Sequence, residues 1–281
     1  MRDWSVDTPT GSLAVRDHGG DGPAVVLLHG AGHNLEVWRD VVAAIDGRCR
    51  AVAVDLRGHG RSAVVDSFAM ADLAADVHHV CRALDLKAPV LVGHSLGGWA
   101  ALAAAALGGV RALVSIEGPV LSFDDLFREL GLPPDRGEGG EETLRAQAFH
   151  GDDAAWTKRM SVTGSPGSIA RAVAERGRVR LDDGLLHSHP LPQELISAQR
   201  CAWEIDPAIL YPRLGIPVTI VLATDQSTVA HADRFVDLRD AAVDALVRVN
   251  PMMKVVRLAG GHHLPVERAS DIAEIIVAAI S

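Results

Sequence analysis

Four largely apolar runs, each ending in a polar or small residue, constrain the fold of this chain more than any other feature; the fourth is interrupted by Arg111 and Ser115. Ala24-Val25-Val26-Leu27-Leu28 ends in His29-Gly30, Ala51-Val52-Ala53-Val54 in Asp55, Pro89-Val90-Leu91-Val92 in Gly93, and residues 110–116 in Glu117. A strand that is apolar on consecutive residues has both faces covered, as in a parallel sheet between two layers of helix. Helical patterns separate the runs, at 38–45, 70–84 and 96–107. The alternation predicts an α/β protein with a doubly wound, mostly parallel sheet and helices on both faces. Residues 3–18 read as one or two antiparallel edge strands turned at Pro9-Thr10-Gly11.

The alternation stops after Glu117. Residues 122–212 hold no apolar strand run, only helix-like pieces at 124–130, 141–160, 168–176 and 192–203. Turn-rich spacers such as Gly164-Ser165-Pro166-Gly167 divide them. Strands at 218–223 and 254–258 and helices at 233–249 and 267–280 then resume the pattern. The expected organisation is one α/β core, residues 1–121 and 213–281, with a helical cap at 122–212 inserted into it. The chain of 281 residues carries 27 Lys+Arg and 36 Asp+Glu, net −9, and the inserted segment, with 15 acidic and 10 basic residues, supplies −5 of that. The acidity argues against nucleic acid or an anionic membrane as the main partner and disfavours strongly anionic acyl substrates. Cys49, Cys81 and Cys201 have neither a disulfide framework nor metal-ligand spacing. No signal-peptide pattern opens the chain, and its longest apolar stretch, 99–107, is too short to span a bilayer. A reducing, cytoplasmic setting is the expectation.

Gly93-His94-Ser95-Leu96-Gly97-Gly98 lies between an apolar run and an Ala-rich helical pattern. This is Gly-x-Ser-x-Gly in the strand–turn–helix context where the serine hydroxyl stands clear of the sheet. Small residues are required on either side because the backbone turns sharply there. The Leu96 N–H, at the start of the helix, then supplies half of an oxyanion hole. His29-Gly30-Ala31-Gly32 follows another strand, and the Ala31 N–H is the candidate second donor. Asp55-Leu56-Arg57-Gly58-His59-Gly60-Arg61-Ser62 follows a third.

In their order along the chain, these landmarks, with Trp38 beyond the first and Gly261-His262 near the end, resemble the α/β-hydrolase superfamily over nearly the whole length. The resemblance implies an eight-stranded sheet with a helical cap inserted after the sixth strand. It also implies a catalytic base after the last strand, where Ala259-Gly260-Gly261-His262-His263 stands. His262 matches the superfamily position and His263 is its adjacent alternative. A serine needs such a base to become a nucleophile, and the base needs an acid to orient it. Two carboxylates are candidates. Asp225 lies past the strand at 218–223, about one residue earlier than most relatives place the acid. Glu117, directly after the sixth strand, is the position some members use.

The implied chemistry is acyl transfer to water by Ser95, His262 and Glu117 or Asp225, with no metal or organic cofactor. A small or medium apolar ester, lactone or thioester is the default small-molecule substrate. Gly30, His33, His94, Trp99, Phe123, Phe127, Trp156 and Trp203 are candidates to touch it, although the i, i+4 spacing of Phe123 and Phe127 also suits packing between cap and sheet. His94 also suits a packing and hydrogen-bonding role. The same Ser/His pair serves C–C bond hydrolysis, acyl transfer to another acceptor or cyclisation, and the fold also makes low-turnover binding proteins. A homo-oligomer through the cap or the last helix stays open.

Overall fold

The computed structural model describes residues 1–65, 68–133, 148–163, 165, 167–227 and 231–280. β1 (Arg2–Thr8) and β2 (Gly11–Asp17) form the expected antiparallel hairpin. β3 (Ala24–Leu28), β4 (Arg50–Val54), β5 (Val90–His94) and β6 (Ala112–Ile116) follow, and every residue of β3, β5 and β6 is buried. Three short strands, β7 (His150–Gly151), β8 (Arg178–Arg180) and β9 (Leu186–Ser188), precede β10 (Val218–Ala223) and β11 (Met253–Leu258). The main sheet has eight strands in the order β1-β2-β4-β3-β5-β6-β10-β11. It is parallel from β4 onward, and β2 is antiparallel to both of its neighbours.

Alternate residues of each buried strand serve opposite faces. Val26 and Leu28 join one core with residues of α2 (Met70–Ala83) and α3 (Leu96–Ala106). Val25 and Leu27 join the other, with α1 (Arg39–Ile45) and the last helix (Ala269–Ile280). This is the two-sided burial that the apolar runs require.

Between β6 and β10 lie α4 (Phe123–Leu130), α5 (Asp153–Val162), α6 (Ile169–Arg176), α7 (Pro192–Cys201) and α8 (Pro207–Leu210). Ser122, Asp152 and Ser168 cap the first three, each accepting a hydrogen bond from an amide three residues on. The helix expected at 141–160 lies partly outside the described residues. The segment also departs from the expectation of helix alone, because β7, β9 and β8 pair as a small antiparallel sheet. Two- and three-residue strands that stay half exposed leave no apolar run to read.

Buried charge fastens this segment to the sheet. Arg176 Nε on α6 donates to Asp55 Oδ2 at 2.8 Å, with 4% and 0% of the two side chains exposed. His189 Nδ1 faces the Gly60 carbonyl at 3.0 Å, and its Nε2 lies 3.1 Å from Glu194 Oε2. Glu194 in turn accepts from the Val65 N–H at 3.1 Å. Burial pushes His189 down, but the Glu194 carboxylate and the Gly60 carbonyl outweigh it, so its pKa stands above 6.5.

Arg176→Met leaves Asp55 buried without a countercharge, and urea unfolding should show a loss of about 3–5 kcal/mol. No measurable loss would remove the ion pair from the account of how the cap is held. The stabilisation that His189 draws from Glu194 is complete below pH 6.5 and fades as pH rises through the raised pKa. The unfolding free-energy difference between the wild type and His189→Gln should therefore shrink with rising pH; growth with pH would contradict the assignment.

Candidate active site

The turn from β5 into α3 places Ser95 at φ 52°, ψ −117°. A non-glycine residue pays about 1–3 kcal/mol to sit there, and the surroundings enforce it. A Cβ on Gly93 would lie 2.1 Å from the Gly97 carbonyl oxygen, and one on Gly97 would lie 2.2 Å from that of Leu28. Only glycine permits both approaches, which is the physical content of the Gly-x-Ser-x-Gly spacing. The Ser95 N–H donates to the Ile116 carbonyl at 3.0 Å, binding the turn to the end of β6.

The Leu96 and Ala31 amides donate to no acceptor among the described residues. Both residues line one cavity of about 360 Å³ with Ser95. The loop that carries Ala31 is set by two buried histidines that sequence reasoning passed over. His29 Nε2 accepts from the Leu56 N–H at 3.0 Å, so its proton sits on Nδ1, toward the Gly30 carbonyl at 2.8 Å. His59 Nε2 accepts from the Gly32 N–H at 3.2 Å, and its Nδ1–H donates to the Arg57 carbonyl at 2.9 Å. Burial holds His29 well below 6.5 and His59 down to about 3, so both stay neutral acceptors. Their signal was present as the histidines of His29-Gly30 and Gly58-His59-Gly60.

Glu117 leaves β6 at φ 46°, with its carboxylate 5% exposed. Oε1 accepts from the Ala223 N–H at 2.6 Å and Oε2 from Gln226 Nε2 at 2.9 Å. Arg239, on α9 (Ala232–Val249), lies 3.8 Å from Oε1 and donates to the Ala223 carbonyl at 3.0 Å. His262 Nδ1 stands 3.4 Å from Oε2, at the long end of hydrogen-bond reach. Gln226 and Arg239 had no signal in the sequence, because neither belongs to a motif.

Asp225 does not meet His262. It is exposed, and its carboxylate accepts from the Ser227 N–H two residues on at 3.0 Å; the Ser227 hydroxyl first, then that N–H, lowers its pKa. The residue caps its own turn, a local alternative open to any Asp at a strand end. His263 is exposed, with its ring at right angles to that of His33, centroids 5.1 Å apart. His33 has a buried Nδ1 without a partner, and burial and the neighbouring histidines pull its pKa to about 4. It lines neither cavity that Ser95 shares. Gly30 does approach the serine: a Cβ there would lie 3.2 Å from Ser95 Cβ. His94 is buried, and its Nε2–H donates to the His262 carbonyl at 2.7 Å. It thus ties the serine turn to the histidine loop.

A second cavity of about 240 Å³ is lined by Ser95, Glu117 and His262 and shares Trp99 and Phe123 with the first. Trp99 stacks on Phe123 at 5.3 Å, and Trp203 contacts Phe123 at 5.4 Å and Phe127 at 5.2 Å. These four rings wall the larger cavity, so Phe123 and Phe127 both pack between cap and sheet and face the space beside Ser95. Trp156 does not. It belongs to the cap's own core with Met160 and Leu186, edge-on to Phe149 at 5.1 Å. It lines neither cavity that Ser95 shares. Among the described residues no three His, Cys, Asp or Glu side chains are placed to hold a metal ion, and no helix is long and apolar enough to cross a membrane.

The family model described as "Alpha/beta hydrolase family" matches residues 25–275. The chain belongs to the α/β-hydrolase family. Over 125 residues this α/β-hydrolase is 42% identical to protein phosphatase methylesterase 1 of Mus musculus, a stretch that is 41% of this chain and 32% of that one. The chain therefore spans about a third of the length of that relative. It is 28% identical to the magnesium-chelatase 30 kDa subunit of Rhodobacter capsulatus over 251 residues, 86% of this chain and 81% of the other. The solved structure of E-2-(acetamidomethylene)succinate hydrolase superposes with a TM-score of 0.75 over 99% of this chain and 98% of its own, at 24% identity. That likeness is one of fold.

His94→Leu removes the donor to the His262 carbonyl and leaves that group unpaired. Denaturant unfolding should lose about 1–3 kcal/mol; an unchanged midpoint would mean the hydrogen bond does not hold the loop.

Proposed function

We propose that this α/β-hydrolase is a serine hydrolase that cleaves a small or medium apolar ester, lactone or thioester through an acyl-enzyme. One observation carries the reading. The Glu117 carboxylate is buried against His262 Nδ1, on a cavity that Ser95 shares.

With Nδ1–H turned to Glu117, His262 keeps Nε2 free as a base. Nε2 takes the Ser95 proton as Oγ attacks the substrate carbonyl carbon. Negative charge then develops on the carbonyl oxygen, where the Ala31 and Leu96 N–H groups receive it; one such donor is worth about 2.7–4 kcal/mol. Glu117 stabilises the imidazolium, and its own bonds to Ala223 and Gln226 stop it from rotating away. His262 returns the proton to the departing alcohol or thiol. Water, deprotonated in turn by His262, hydrolyses the acyl-enzyme and frees Ser95. The aromatic walls of Trp99, Phe123, Phe127 and Trp203 suit an apolar acyl group. The match to a methylesterase supports ester cleavage over the other reactions that a Ser/His pair performs.

A fluorophosphonate probe should label the wild type and not Ser95→Ala. Nitrophenyl butyrate turnover should fall at least ~10²-fold in kcat for Glu117→Ala and change little for Asp225→Ala, because a misoriented imidazole costs that much or more. Absence of labelling with ligand binding intact would make this a binding protein. Equal losses in the two acid variants would overturn the choice of Glu117.

A further inference from the structure

Two cavities meet at Ser95, and they are lined by different parts of the site. Ala31 and Leu96, whose amides are the oxyanion donors of the proposed reaction, line the larger, of about 360 Å³, and His262 does not. His262 and Glu117 line the smaller, of about 240 Å³, and Ala31 and Leu96 do not. Trp99 and Phe123, stacked at 5.3 Å, border both. Leu126 and Phe127 are consecutive on α4, yet Leu126 lines the smaller cavity and Phe127 the larger.

The chemistry of a carbonyl gives each space an occupant. In the tetrahedral intermediate the central carbon carries Ser95 Oγ, the oxyanion, the acyl chain and the leaving group. The leaving atom must lie within reach of the imidazole that protonates it, so the alcohol or thiol extends from the His262 side. The acyl chain takes the remaining direction, beside the oxyanion donors. The lining of the smaller cavity suits that division. Its charged and amide side chains are engaged with one another. Glu117 accepts from Gln226 and meets His262, and Arg239 lies 3.8 Å from Glu117 and donates to the Ala223 carbonyl. Leu121, Leu126, Leu222 and Phe235 supply apolar wall. A charged group buried against such a wall costs free energy, whereas an alkyl group gains it.

We propose that the 240 Å³ cavity is the leaving-group subsite and the 360 Å³ cavity the acyl subsite. The substrate class is then an open-chain ester or thioester of an apolar acid with a smaller, uncharged, apolar alcohol or thiol. The inference rests on the serine-hydrolase reading. Within it, Leu126 and Phe235 set the size of the alcohol and Phe127 that of the acyl chain.

The two neighbours on α4 provide the test. kcat/KM is measured for butyrate esters of methanol to hexanol and for methyl esters of acetate to octanoate. Leu126→Ala should shift the hexyl-to-methyl ratio of the butyrates toward the longer alcohol by about tenfold, and should not move the octanoate-to-acetate ratio. Phe235→Ala, on a different helix, should repeat that result. Phe127→Ala should do the reverse, shifting the acyl ratio by about tenfold and not the alcohol ratio. Exchanged effects, both ratios moving together in either α4 variant, or no shift in any variant overturns the division. A wild type that cleaves none of the esters and is not labelled by a fluorophosphonate would overturn the hydrolase reading itself, and the subsites with it.

Discussion

Asp55 is the residue on which the surroundings of the site converge. Its carboxylate is fully buried and accepts three hydrogen bonds at 2.8 Å, from the Leu35 N–H, the Arg61 N–H and Arg176 Nε. Those donors belong to the segment after β3, the loop after β4 and the cap. Burial drives its pKa above the usual carboxylate range while Arg176 opposes the rise. The loop after β4 wraps it so closely that a Cβ on Gly60 would lie 2.3 Å from Oδ2. The segment after β3, the loop after β4 and the cap thus share one electrostatic anchor, and their relative positions follow from it.

A second set of constraints acts at the other end of the site. Glu117 is held by the end of β10 through Ala223, by Gln226 in the loop beyond and by Arg239 from α9. Its position is therefore a property of the β6–β10 pairing, in which Ile116 sits opposite Val221. His262 receives its own restraint from His94, one residue before Ser95. Ser95, His262 and Glu117 come from three different turns, yet each is bonded to the strand or loop that bears another.

Local sequence patterns carried much of this. The apolar runs announced the buried strands, and Gly93 and Gly97 announced the strained serine because backbone contacts exclude any side chain there. What stayed hidden depended on contacts between distant segments. Glu117 and Asp225 both stand at strand ends on the same edge of the sheet, and neither sequence neighbourhood states which carboxylate turns inward. The structure separates them by a positive φ at Glu117 and by a self-capping turn at Asp225. Trp156 packs in the cap's own small core and lines cavities other than the two that Ser95 shares. The strands of the cap escaped notice because they are short and half exposed. His29 and His59 sat in plain view without a role until the loop amides they accept from were placed beside them.

The buried charges that hold the cap also bear on how such a site would choose among molecules. Lifting the segment as a hinged lid would take Arg176 from Asp55 and the Val65 N–H from Glu194, and neither carboxylate could replace its partner from solvent without being exposed. The roof over Ser95 therefore behaves as a fixed wall, and the space beneath it works as a ruler. In a pocket of fixed walls one methylene too many or too few changes transition-state binding by about 1–3 kcal/mol. On the serine-hydrolase reading, a pinned segment over Ser95 selects acyl groups by length.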